Sequence, residues 1–162
     1  MTQKEVLCKV LDVIGLGKPN MSQFDRRIQY QKIIYLLQSS GISLGYGFNW
    51  YIKGPYSSPL AHVLYEIDDA VYEENKNLVF IDNERIVKEL NDFRNKLGDD
   101  INNVNYLEVL ASLHYINKAN FSGKGRFPDL RRRLLEAKPV LNEIDNIESL
   151  IKKAYDHLSK FN

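Results

Sequence analysis

A stretch rich in glycine and proline separates two helical patterns in the first half of the chain and limits its possible folds. Gly41, Gly45 and Gly47 follow an apolar helical repeat, and Gly54–Ser57 (GPYS) precedes the next one. Proline fixes its own φ and restricts the preceding residue, so neither helix continues through this stretch. Residues Phe48–Ile52 are rich in strand formers. The sequence therefore predicts a helix, a short strand and a second helix around a stiff joint.

Apolar residues recur at helical spacing through most of the remaining chain. Ser22 and Ser58 are predicted to cap helices, and Leu78–Ile81 is predicted as a second strand that could pair with the first. These patterns predict an α+β, mainly α class: a compact helical domain with a short two-stranded, wing-like β element. The helical repeats cover approximately residues 6–14, 28–41, 60–71, 86–97, 104–116 and 144–161, and a further helix is predicted around Arg131–Arg133.

Length and charge favour one soluble domain. The 162 residues contain no internal repeat, low-complexity segment or linker, which predicts a single domain over residues 1–162. The formal net charge is +1, so any nucleic-acid contact needs a local patch. Glu5, Lys9 and Asp12 interrupt the N-terminal apolar residues, which argues against a signal peptide, and no apolar run approaches the roughly 20 residues of a membrane span. With Cys8 as the only cysteine, we expect a cytoplasmic protein without an internal disulfide.

The histidines and the cysteine give no catalytic or metal-binding pattern. His62 and Glu66 are spaced i and i+4, but a zinc site normally needs at least three protein ligands, so a surface histidine beside an acid is the preferred interpretation. His114 shares an apolar stripe with Leu107 and Leu110, which predicts a buried, hydrogen-bonded imidazole. No Ser-His or Cys-His pair is apparent in the sequence. We therefore predict a non-enzymatic protein with no metal and no cofactor.

One basic cluster lies between residues 124 and 138. It matches neither the phosphate-binding loop nor the dinucleotide fingerprint. It could contact a nucleic-acid backbone, or it could be a solvated helix face paired with acids. The candidate nucleic-acid-binding residues are Lys124, Arg126, Arg131, Arg132 and Arg133.

The helix after the stiff joint occupies the position of a DNA-recognition helix, because the predicted order helix–helix–strand–helix–strand is that of a winged helix. A recognition helix carries basic or amide side chains, yet there is no Lys or Arg between Gly54 and Asn75. Its predicted outward residues include His62, Tyr65 and Asp69. This face is predicted either to contact a protein or to be a plain acidic surface.

The aromatic strand gives a second set of candidate binding residues. Strand alternation predicts that Phe48, Trp50 and Ile52 point inward. Tyr51, Lys53 and Tyr56 are then candidates for a partner surface, with burial of all the aromatic residues as the alternative.

The sequence motifs around the joint resemble a family of small proteins. Lys32–Gln38 (KIIYLLQ), followed by Leu44–Leu64 (LGYGFNWYIKGPYSSPLAHVL), resembles the YwgA-like proteins of bacteria and archaea, and Leu107–Ile116 (LEVLASLHYI) also looks like their pattern. The same residues are similar, more distantly, to the Panacea (SocA-like) antitoxin domain. The resemblance implies a cytosolic, non-enzymatic protein that binds a toxin or serves as an adaptor.

We therefore predict a protein-interaction module, antitoxin-like or part of a defence system, whose partner is another protein, such as a toxin or a defence-complex subunit. The alternative is a nucleic-acid-binding regulator that uses the basic cluster at residues 124–138. A membrane partner is not expected. The final helix repeats apolar residues in steps of three and four over fewer than three heptads, which predicts packing against the chain's own core, with dimerisation as the alternative.

Overall fold

The computed structural model describes residues 1–162 as eight α-helices and one two-stranded antiparallel sheet. This architecture confirms the predicted class, mainly α with a short two-stranded β element. The strands β1 (Asn49–Tyr51) and β2 (Gly54–Tyr56) lie between the second and third helices. Short 3-10 helices cover Gly98–Asn102, Pro139–Glu143 and Leu158–Phe161. The α-helices are α1 (Gln3–Val13), α2 (Phe24–Ser39), α3 (Ser58–Glu66), α4 (Asp69–Asn75), α5 (Asn83–Leu97), α6 (Val104–Phe121), α7 (Phe127–Ala137) and α8 (Ile147–His157).

Two helices, α2 and α6, form the centre of the molecule. Ile28–Leu37 of α2 and Tyr106–His114 of α6 are buried without interruption, so these stretches have no side that faces solvent. They pack against each other, α2 also contacts β2 and α3, and α6 also contacts α7 and α8. One continuous cluster of 37 buried apolar side chains results. None of the helices combines the length and apolar composition that a membrane crossing requires.

The second strand is Gly54–Tyr56, and the prediction that placed it at Leu78–Ile81 is wrong. Residues Leu78–Ile81 form no strand, and β1 pairs instead with Gly54–Tyr56, with Trp50 opposite Pro55. Ile52 and Lys53 are therefore the two loop residues of a tight hairpin. The Gly-Pro pair, predicted to be a turn, is itself part of the pairing strand. Because the hairpin is complete before α3 begins, no strand follows that helix as it would in a winged helix.

Three helix boundaries also differ from the predictions. Ser22 bonds to Asn20 and does not cap α2, which begins without a side-chain cap. Ser57, not Ser58, caps α3 by accepting from the amide of Leu60. The predicted third helix is two helices, because Asp68 accepts a bond from the Val71 amide at 2.9 Å and so starts α4.

The last helix packs inside the molecule, as predicted. Ile151 and Ala154 of α8 are buried, and the Phe161 ring lies 6.0 Å from that of Phe93 in an edge-to-face arrangement. The prediction for His114 is also confirmed: its Nδ1 lies 2.8 Å from Tyr35 Oη and its Nε2 lies 2.9 Å from Asn162 Oδ1. The apolar stripe of α8 is therefore covered by this chain's own core.

Candidate functional site

Two glutamines of α2 hold the segment that leads into and out of the hairpin. The Gln38 amide donates to the Tyr46 carbonyl at 2.8 Å and accepts from the Tyr46 amide at 2.9 Å. Gln31 makes the same pair of bonds with Ser57, at 2.9 and 2.8 Å. Each glutamine thereby satisfies both polar groups of one loop residue. The chain is fixed to α2 on both sides of the hairpin.

Two buried lysines hold the hairpin itself. Lys32 of α2 donates from Nζ to the Pro55 carbonyl at 2.8 Å, and Lys138, just after α7, donates to the Ile52 carbonyl at 2.7 Å. The turn is therefore held from both ends by cations that come from distant parts of the chain.

The carboxylate of Glu108 provides the compensating charge in this buried region. Its Oε2 lies 3.1 Å from Lys138 Nζ, and the two side chains are only 9% and 2% exposed. Lys32 makes no ion pair, and burial lowers its pKa to about 7, although the nearby carboxylate of Glu108 opposes this change. Burial also lowers the pKa of Lys138, again against the effect of Glu108. Two lysines thus share the field of one carboxylate.

A pocket of about 170 Å³, which we call the hairpin pocket, opens beside this region between α2, the hairpin and α3. Phe24 and Tyr65, which are 54% and 61% exposed, form part of its rim. The aromatic surface therefore faces solvent at a concave site. The lining includes Phe24, Arg27, Lys32, Lys53, Tyr56 and Tyr65.

The charges around the hairpin pocket are all positive. Arg27 and Lys53 lie over the Phe24 ring, at 5.5 and 5.9 Å from its centre, which is the distance range of cation–π contacts. Neither of them makes an ion pair, and no Asp or Glu lines the pocket. The site combines aromatic surface with two cations, Arg27 and Lys53, that have no anionic partner, and with Lys32, whose charge Glu108 partly compensates.

The six residues predicted to bind a partner do not all meet. Lys53, Tyr56 and Tyr65 line the hairpin pocket, and Tyr51 packs edge-to-face on Tyr56 at 5.2 Å. Asp69 pairs instead with Lys18 at 2.7 Å. His62 is exposed on α3 outside the pocket lining.

The inward orientation predicted for Ile52 is wrong, because this residue lies in the hairpin loop and is 88% exposed. Sequence reasoning also missed Phe24, Arg27 and Lys32. A usable signal was present for Lys32, since it begins the C-terminal half of α2, which is apolar nearly all round and leaves a lysine little solvent-facing surface. No sequence signal brings Phe24 and Arg27 next to the hairpin, which is a purely tertiary contact.

The basic cluster is divided by the structure. Arg131 donates from Nε to Glu148 at 2.8 Å, and Arg132 donates to Asp129 at 3.1 Å. Lys124, Arg126 and Arg133 make no ion pair. Lys138, at the end of the same segment, is buried against Glu108 and is unavailable to a nucleic acid.

We expect the titration of Lys32 to raise the free energy of unfolding by roughly 2 kcal/mol between pH 7 and about pH 9. Its folded-state pKa of about 7 lies below the unfolded value, so the unfolded chain binds more protons over this range. Lys138 acts in the same direction. Urea unfolding at several pH values gives the free energy of unfolding as a function of pH. This free energy should rise less steeply with pH in Lys32→Met than in the parent. Lys96→Met, at an exposed position, is the control and should behave like the parent. If stability depends on pH equally in Lys32→Met and the parent, Lys32 is not the cause of the pH dependence.

No group of three or more His, Cys, Asp or Glu side chains is placed to hold a metal ion. In comparisons with known proteins, no family model, no curated protein and no solved structure matches the chain.

Proposed function

We propose that this cytoplasmic protein is a non-enzymatic interaction module that binds a partner protein through the hairpin pocket and its aromatic rim. The observation that carries the proposal is the exposure of Phe24 and Tyr65 around a concave site whose frame is held by buried hydrogen bonds. Aromatic and arginine side chains that enter a partner's surface account for most of the binding energy in protein interfaces. A rigid frame lowers the entropy lost on binding.

The resemblance to the YwgA-like and Panacea proteins supports the choice of partner. It implies an antitoxin-like or defence-system role, so the partner would be a toxin or another subunit of a defence complex. The basic cluster offers less support for the alternative of nucleic-acid binding. Arg131 and Arg132 are already paired with acids, and the neighbouring Lys138 is buried.

Affinity capture from an extract of the native host tests the proposal with two matched variants. The first is the double variant Phe24→Ala, Tyr65→Ala. The second is Ile81→Ala, which removes a fully exposed apolar side chain from the loop between α4 and α5. We expect the parent and Ile81→Ala to recover the same protein, and the double variant to lose it.

The recovered protein is then produced separately and titrated against the three forms. The double variant should bind at least about tenfold more weakly than the parent, as is typical when interface anchors are truncated. All three forms should have the same thermal stability, since the substituted side chains are exposed. Unchanged affinity in the double variant would refute binding through this site.

A further inference from the structure

We propose that the hairpin pocket binds a single carboxylate of the partner, presented by a segment in which that carboxylate stands beside a large apolar side chain. The inference rests on the proposed function, because it names the chemistry of the partner at that same site.

The first support is the guanidinium of Arg27. Its Nη1 donates to Tyr65 Oη at 3.4 Å, while its Nε is enclosed and has no hydrogen-bond partner. Because Nε is enclosed by the protein, a ligand reaches only the outer end of this guanidinium, where Nη2 makes no hydrogen bond. Arginine donates parallel N–H bonds to the two oxygens of a carboxylate, as Arg131 does to Glu148. The outer end of Arg27 therefore offers a free charged donor to an anion.

The second support is the uncompensated charge. Arg27 and Lys53 lie within 6 Å of the centre of one phenyl ring, and neither of them makes an ion pair. Like charges held close together in a partly enclosed site repel each other. A single bound anion would relieve that repulsion and accept a hydrogen bond from Nη2 of Arg27.

The surroundings favour a protein segment with one carboxylate over a nucleic acid. The helices that follow the hairpin carry Glu66, Asp68, Asp69, Glu73 and Glu74 and no Lys or Arg before Lys76. Regularly spaced phosphates that entered the pocket would also approach this negative surface. A peptide with one carboxylate near its point of entry would not need to do so.

The size and lining of the hairpin pocket define the apolar neighbour. Tyr56, Tyr65 and Phe24 surround a volume of about 170 Å³. A protein cavity of about 150 Å³ is known to hold a benzene molecule, so this pocket has room for one aromatic ring. The ligand that fits is therefore a ring or branched aliphatic side chain with a carboxylate a few bonds away.

A pair of small probes tests this inference on the full-length protein. N-acetyl-L-phenylalanine carries a phenyl ring and a carboxylate, and N-acetyl-L-phenylalaninamide replaces only the carboxylate with a neutral amide. Titrations followed by amide NMR shifts should place the acid at residues 24–32 and 53–65, with a Kd of about 1 mM, as expected for so small a ligand. The amide should bind at least about tenfold more weakly, because it loses a charge-assisted bidentate contact.

Variants connect the preference for the acid to Arg27. In Arg27→Gln the acid and the amide should bind within about twofold of each other, whereas Arg27→Lys should keep part of the preference because it keeps the charge. Lys96→Gln, an exposed charge removed from α5, should behave like the parent. Equal binding of acid and amide to the parent, or an undiminished preference in Arg27→Gln, overturns the inference.

The outcomes separate this inference from the proposed function. If the probes show no preference for the acid while Phe24→Ala, Tyr65→Ala still loses the partner, only the carboxylate assignment fails. If the acid binds through Arg27 but partner binding is unaffected by the aromatic variant, the pocket is an anion site and the interaction proposal fails.

Discussion

Glu108→Gln is expected to lower the free energy of unfolding by about 3–5 kcal/mol, the usual cost of breaking a buried ion pair by removing one partner. Lys138 would remain buried with its charge uncompensated, and its side chain is only 2% exposed. Lys32 would lose the one carboxylate that favours its charged form. Urea unfolding at pH 7 measures the change.

Two further variants isolate the buried pair as the cause. Glu148→Gln removes a carboxylate from the exposed pair with Arg131 and should change stability far less, since exposed ion pairs contribute little. The double variant Glu108→Leu, Lys138→Met replaces the buried pair with apolar side chains and should recover part of the loss, because such exchanges are often neutral. If Glu108→Gln and Glu148→Gln unfold at the same urea concentration, the buried pair is not important for stability.

Gly54→Ala is expected to cost about 2–4 kcal/mol, through two effects that add. The residue has a φ of +98°, a conformation that L side chains rarely adopt. A Cβ at this position would also approach the hydroxyl of Ser112, because the backbone of β2 lies directly against α6. Gly47→Ala is the matched control, since Gly47 has no unusual φ and no atom would lie within 4 Å of its Cβ.

A second substitution separates the strain from the collision. In Gly54→Ala, Ser112→Ala the hydroxyl is gone, and the nearest side-chain atom of residue 112 lies 3.5 Å from the new Cβ, an ordinary contact. This double variant should regain the part of the stability lost to overpacking and keep the part lost to the backbone. Equal thermal stability of Gly54→Ala and Gly47→Ala would remove both arguments.

The helices could be predicted because their spacing is a local property of the sequence. The stripe from Ile147 to Phe161, for example, lies against the core as its three- and four-residue steps indicate. The predicted partner of β1 was wrong, since Ile52-Lys53 lacks the Asn-Gly or Asp-Gly signal of a two-residue turn. The position of the hairpin depends on Lys32 and Lys138, which are distant in sequence.

The candidate site was predictable only in part, for the same reason. Lys53, Tyr56 and Tyr65 were selected from strand and helix periodicity, and they do line one pocket. Phe24 and Arg27 belong to the same pocket only because α2 packs beside the hairpin. The unpaired Nε of Arg27 is a property of the folded structure, and no residue spacing along the chain indicates it.

The way in which the two lysines hold the hairpin bears on how recognition could diversify. Lys32 and Lys138 bond to the carbonyl oxygens of Pro55 and Ile52, which are main-chain atoms. Any residue at position 52 would supply the same acceptor, so the loop side chains can be exchanged while the loop keeps its place. Antibody loops on their sandwich scaffold separate position from chemistry in a comparable way. Under the proposed function, substitutions at residues 52 and 53 would change the chemistry offered to a partner at little cost in stability.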